Sequence, residues 1–234
     1  MMNAVLEEIL RTGFTVAGSG QKIPVHSSVT EEEGLFLAGM VSELQPRRTL
    51  EVGLAFGVSA LFICQALPAG AIHIAIDPYQ FAGPPGDEWY GAGLDALRRA
   101  GYEDRVEFHC RPSRAVLPEL ESKGTKLGFA FIDGWHTFDY TLVDFFYIDR
   151  MLEVGGIVAL HDVEMPSPKK VCQFVVNNLN YVVCAYYPAV EGQASSKLQA
   201  VTGLAEKFLR PDCGLVALRK ISDDTRPWDF HKDF

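Results

Sequence analysis

The sequence predicts an α/β fold: a seven-stranded, mostly parallel sheet with helices on both faces. Three observations predict it. Short, nearly continuous apolar runs read as buried strands, and helical patterns separate most of them. Such alternation gives a parallel sheet covered on both sides. Strand-like runs also end on Gly53, Asp77, Asp133 and Asp162, and the carboxyl edge of an open parallel sheet is where ligands bind.

The elements follow in chain order. Residues 1–28 read as a helix and then a glycine-rich turn, Ala17-Gly18-Ser19-Gly20. Thr30-Glu31-Glu32-Glu33 resembles a capping box that opens a second helix. Its apolar side is Leu35, Leu37, Ala38, Val41 and Leu44, and Pro46 stops it. Thr49–Gly53 is the first strand and Ser59–Leu67 the helix behind it. Ala71–Asp77 is the second strand, followed by an irregular stretch, Phe81–Asp87, rich in glycine and proline. A helix over Ala92–Ala100, a strand over Arg105–His109 and a helix over Ser113–Ser122 come next. Leu127–Asp133 is the fourth strand, Tyr140–Leu152 a helix and Gly156–Asp162 the fifth strand. A helix near Lys169–Asn178 and strands near Tyr181–Ala185 and Leu215–Arg219 finish the set, with a less regular segment over 186–213.

Composition narrows the class. The chain has 234 residues, 48% of them hydrophobic, enough to bury the core of one domain. That domain is expected over 49–220, after an N-terminal helical segment over 1–48 and before a tail over 221–234. A net charge of -9 offers nothing to a nucleic acid or an anionic membrane. The five cysteines are widely spaced, with no CxxC pair, so they read as small buried hydrophobes in a reducing compartment. The first residues carry Glu7 and Glu8 and no long apolar stretch, unlike a signal peptide. The expected compartment is the cytoplasm.

Glu51-Val52-Gly53-Leu54-Ala55-Phe56-Gly57-Val58-Ser59 joins the first strand to its helix. Gly53 and Gly57 let the backbone turn tightly and approach a ligand. A dinucleotide site wants GxGxxG and a helix N-terminus aimed at a pyrophosphate. Here the spacing is GxxxG and an acid precedes it, so Glu51 suits an ammonium group better than a phosphate. Asp77 ends the next strand, where a carboxylate can accept ribose hydroxyls. A tight strand-to-helix turn would explain the two glycines alone about as well; the flanking acids make the signal.

From about Thr30 to Asp162 the sequence resembles the class I S-adenosylmethionine (SAM)-dependent O-methyltransferases. It is similar to the catechol and caffeoyl-CoA type and to the macrolide-sugar and cephalosporin hydroxylase-like group. LEVGLAFGVSAL is similar to their first motif and IAIDP to their second. FIDGWHTFDY matches their fourth-strand motif and LEVGGIVALHD their fifth. The resemblance implies the Rossmann-like fold and SAM as cofactor. It puts Gly53, Ala55, Phe56, Gly57 and Ser59 near the methionine end, Glu51 on the amino group and Asp77 on the ribose. Ser113 and Arg114 fall near the adenine.

Methyl transfer is an in-line displacement that needs a positioned acceptor and a group to take its proton. Asp133, Trp135 and His136 stand at the fourth strand end, and His161 and Asp162 at the fifth. Adjacent strands lie ~4.8 Å apart, so both ends can share one ion. The resemblance implies Asp133 and Asp162 as metal ligands, with Mg²⁺ the expected ion. It puts His136 where catechol-type enzymes carry a base lysine, and an imidazole can serve there. Val163 departs from the amide or acid those enzymes supply after the last acid. The remaining ligand is open among His161, Glu164 and His136. Asp133 could instead cap the following helix, and the resemblance to metal-free relatives also implies it as a SAM-binding residue. His26, His73 and His109 read as structural.

The expected acceptor is a small hydroxylated molecule. Tyr79, Phe81, Asp87, Glu88, Trp89 and Tyr90 either wall its pocket or anchor their loop. Trp228, Phe230 and Phe234 suit a lid or a contact between copies of a homo-oligomer. Two other functions share this fold: an NAD(P)-dependent oxidoreductase, and a hydroxylase-like or SAM-binding regulatory protein without transferase activity. GxxxG in place of GxGxxG, and the lack of a Tyr-xxx-Lys pair near the fifth strand, argue against the oxidoreductase.

Overall fold

The computed structural model describes residues 2–18, 20–83, 89–188, 213–230 and 232. Ser19, Asp87, Glu88, most of the 186–213 segment, His231 and Phe234 lie outside the described residues.

Helix α1, Ala4–Thr12, starts where the Asn3 side chain accepts from the Val5 amide and ends on Gly13 in the left-handed region. A short antiparallel hairpin follows, β1 (Phe14–Val16) with β2 (Lys22–Pro24). The sequence pattern missed it, because a three-residue strand cannot show a two-residue period. Helix α2, Glu31–Leu44, has the expected capping box, with Thr30 and Glu33 each accepting from the other's backbone amide. It buries Leu37, Ala38, Met40 and Val41. Leu35 was expected on that face and is instead 49% exposed; Gly34 faces inward, close against the Phe62 ring.

The main sheet is built from β3 (Arg48–Val52), β4 (Ile72–Ile76), β5 (Val106–His109), β6 (Leu127–Ile132), β7 (Leu152–Leu160), β8 (Tyr181–Tyr187) and β9 (Leu215–Lys220). Its order is β5-β4-β3-β6-β7-β9-β8. Strands β3 to β7 pair in parallel, and β9 runs antiparallel to both β7 and β8. Strand β7 begins at Leu152 rather than Gly156, through a register shift against β6. The helices are α3 (Val58–Ala66), α4 (Ala92–Arg99), α5 (Ser113–Ser122), α6 (Phe138–Met151) and α7 (Pro166–Asn178).

Strand side chains alternate between the two faces, which makes two cores. Leu50, Val52, Ile74, Ile76, Ala130 and Ile132 pack with Val116, Leu117, Phe145, Ile148 and Val171 of α5, α6 and α7. Ala75, Phe129, Phe131, Ile157 and Ala159 face Leu37, Val41, Leu61 and Phe62 of α2 and α3. Both faces are dry, so the central strands are mainly apolar, and the buried Thr49, Glu51 and His73 meet one another. Cys64, Cys172, Cys184 and Cys213 are buried and Cys110 is exposed, and no disulfide forms among the described residues. Burial pushes the Cys184 thiol up to about 11 and the Cys64 and Cys172 thiols higher still. Among the described residues no helix is long and apolar enough to cross a membrane.

Candidate active site

Backbone hydrogen bonds carry the sheet ladder one residue past the strands. Gly53 N–H donates to Ile76, Asp77 to His109, Asp133 to Val52 and His161 to Ile132. These four residues therefore share one rim, centred where β3 has β4 on one side and β6 on the other. The order in which strands are added reverses there, with all of them still parallel, and such a switch point opens a crevice at the carboxyl edge.

On the first side of the crevice the loop after β3 is held from beneath. Asp77 Oδ2 accepts the amides of Leu54 (3.1 Å) and Ala55 (2.8 Å), and Oδ1 accepts the Tyr79 amide at 2.7 Å. Gln80 donates to the Ala55 carbonyl at 2.7 Å. Ala55 is thereby fixed at φ 44, a conformation a non-glycine residue adopts only under constraint. Gly53 sits at φ 95, and a Cβ there would collide with the Asp133 carbonyl. The close approach of the two rim loops thus requires glycine. Phe56 is buried edge-on to Trp89 (5.1 Å) and His26 (5.0 Å). Trp89 accordingly belongs to the loop's packing, and the same holds for His26.

Glu51 behaves differently from the sequence expectation. Its carboxylate is fully buried and turned inward, not out to the rim. Oε2 accepts the Ser59 hydroxyl at 2.9 Å, and Oε1 lies 3.3 Å from His73 Nε2. The other ring nitrogen of His73 meets the Thr49 hydroxyl at 2.9 Å. His73 is the structural histidine expected, and it has a specific acidic partner.

At the adenine end expected from the sequence, Ser113 opens α5 and is buried. Arg114 lies 6.0 Å from the Tyr140 ring centre. Asp144 of α6 is buried nearby, and its Oδ1 has no hydrogen-bond partner. Burial pushes this carboxyl up to about 7 against the opposing Ser113 hydroxyl. Nothing in the sequence singled Asp144 out.

The second side holds the chemistry candidates. His136 Nε2 lies 3.2 Å from Asp162 Oδ2 and 3.9 Å from Asp133 Oδ1. Donor atoms of Asp133, His136 and Asp162 all fall within 4.8 Å of one another. Two carboxylates and an imidazole are a chemically reasonable donor set for a divalent ion. Asp162 is held at φ 52, a further strained residue on the rim. His161 Nδ1 contacts Asp133 Oδ1 (3.2 Å) and Asp162 Oδ1 (3.5 Å), and its Nε2 contacts Glu33 Oε1 (3.4 Å). These are ionic contacts whose angles fall outside hydrogen-bond geometry. Burial opposes a charge on His161, but the three carboxylates outweigh it and push the ring up to about 12. Glu33 and Asp162 are held below the usual carboxylate range, chiefly by His161. The structure therefore groups His136, rather than His161, with the two acids as an open donor set.

Comparison with known proteins points to methyltransferases. Residues 50–163 match the family described as a methyltransferase domain. A caffeoyl-CoA O-methyltransferase of Populus kitakamiensis is 28% identical over 178 residues, 69% of this chain and 68% of the relative. A flavonoid 3',5'-methyltransferase of Vitis vinifera is 28% identical over 56% of this chain and 54% of its own. Residues 50–163 thus carry a methyltransferase domain, and the chain is similar to O-methyltransferases. Its fold matches that of solved O-methyltransferases. An O-methyltransferase of Bacillus cereus, solved with S-adenosylhomocysteine (SAH), superposes with a TM-score of 0.67 at 18% identity, over 94% of this chain and 92% of that one. An O-methyltransferase of Streptomyces achromogenes involved in tomaymycin synthesis, solved with SAM, gives 0.61 at 17% identity over 82% of each.

Proposed function

We propose that this methyltransferase moves the methyl group of SAM to a hydroxyl of a small-molecule acceptor, with a divalent ion at Asp133 and Asp162. The observation that carries this reading is the meeting of Asp133, His136 and Asp162 across the crevice from the Asp77-held loop. SAM supplies an electrophilic methyl carbon on a sulfonium. Asp77 has lone pairs left on Oδ1 for a ribose diol, because among the described residues that oxygen accepts only the Tyr79 amide. The loop over Gly53, Ala55, Phe56 and Gly57 shapes the methionine end, with Ser59 held by Glu51 behind it. Ser113 and Arg114 border the adenine end.

On the acceptor side, His136 takes the hydroxyl proton. With its Nε2–H directed at Asp162, its Nδ1 keeps the lone pair that a base needs. Asp162 then stabilises the imidazolium formed. Asp133 and Asp162 orient the acceptor oxygen, and a bound Mg²⁺ would lower that hydroxyl's pKa. The catalytic unit spans 49–220, with the additions on either side. An acidic chain with buried thiols suits a neutral or cationic small molecule in the cytoplasm.

Calorimetry with SAM, SAH, NADH and NADPH tests the cofactor. Binding of SAM and SAH alone supports the reading, and binding of a nicotinamide nucleotide instead ends it. Methylation of a panel of phenols and sugars, with Mg²⁺ and again with EDTA, tests the acceptor class and the ion.

A further inference from the structure

The geometry points to Glu33 as a positioning residue for the acid pair Asp133 and Asp162, acting through His161. Glu33 lies on α2, outside the segment matched as a methyltransferase domain. By sequence it is the ordinary third residue of a capping box. Its two oxygens divide the work. Oε2 accepts the Thr30 amide (2.8 Å) and the Thr30 hydroxyl (3.0 Å), which completes the cap. Capping needs nothing from Oε1, which is turned to His161 Nε2 at 3.4 Å. The far nitrogen of that ring lies against Asp133 at 3.2 Å and Asp162 at 3.5 Å, and Asp162 in turn faces His136 at 3.2 Å.

The result is an unbroken row: Glu33, His161, the two acids, His136. Glu33 and His161 are both 13% exposed, so water screens their contact little. A histidine ring is oriented by what its second nitrogen faces, and outer carboxylates of this kind set the geometry of the groups beyond them. Glu33 touches no reacting atom. Its effect is to stop the His161 ring from turning, which keeps Asp133 and Asp162 at the separation His136 requires.

This inference rests on the proposed function only for its catalytic consequence, so the test has two parts. In Glu33→Gln the cap survives, because glutamine serves at that position as well as glutamate, while the negative partner of His161 is lost. Histidine ring-nitrogen spectra, assigned with single His→Gln variants, should show the signals of His161 and of His136 moving together. SAH affinity should stay unchanged, and the melting temperature should fall less than in Glu33→Ala, because the cap survives. With any acceptor the wild type methylates, kcat should fall about tenfold to a hundredfold, with KM for SAM unaltered. Glu33→Ala should add a loss of stability from the broken cap. Unmoved His136 signals, or an unaltered kcat in Glu33→Gln, would overturn the positioning role. If the wild type binds no SAH, the functional reading falls, and the histidine spectra still decide the row.

Discussion

Asp162 Oδ2 lies 3.2 Å from His136 Nε2, which joins the ends of two adjacent strands through a single carboxylate–imidazole contact. Local geometry sets Asp162 there: its φ of 52 turns the chain sharply as β7 ends.

If His136 is the base, His136→Ala should lower kcat about 10²- to 10⁴-fold while SAM affinity changes little. Asp162→Asn should also lower kcat, since an amide stabilises an imidazolium poorly. Steady-state kinetics beside SAH calorimetry on each variant checks both. Normal turnover in His136→Ala removes it as base.

Asp77 holds two loop amides with one oxygen and a third with the other. Replacing it by alanine leaves those amides without their acceptor, at a cost of about 1–3 kcal/mol. Asp77→Ala should therefore melt earlier and bind SAH more weakly than the wild type. Calorimetry and thermal melts read the two effects separately.

Asp144 makes stability depend on pH. Its carboxyl is raised to about 7 in the folded chain from an ordinary 3.8, because burial disfavours the charge. The native state therefore holds a proton that the unfolded chain has released between those values. Stability is fully present below pH 4 and declines as pH rises through 7, by up to about 1.4 kcal/mol per unit. Asp144→Asn carries no charge to bury, so its urea midpoint should fall less over this window. Parallel slopes for the two proteins would refute this.

Lys220 anchors the antiparallel edge of the sheet. Its ammonium donates to the carbonyls of Asp149 (2.7 Å) and Leu152 (3.2 Å) and pairs with the Asp149 and Asp223 carboxylates. Tyr181 donates to the same Asp149 carboxylate at 2.7 Å. Lys220→Met should cost about 3–5 kcal/mol, read by denaturant unfolding, with SAH affinity retained. Loss of SAH binding in a folded variant would contradict this purely structural role.

Strand-and-helix alternation, the acids and glycine at the strand ends, and the Thr30–Glu33 cap could all be read from residue order, because each is a pattern a few residues long. A buried strand is mainly apolar, and an acid or glycine that ends it lies at the rim. The hairpin of β1 and β2 was too short to leave a period, and Leu35 shows that an apolar helix residue can still face water. Packing alone settled the partners. Glu51 points to His73 and not to the crevice because cross-strand neighbours set which groups a buried carboxylate meets. Glu33 reaches His161, and His136 joins His161 beside the acids, only once α2 docks against the β6 and β7 ends. Contacts between groups remote along the chain depend on how whole elements stack, and no short stretch of residues encodes that.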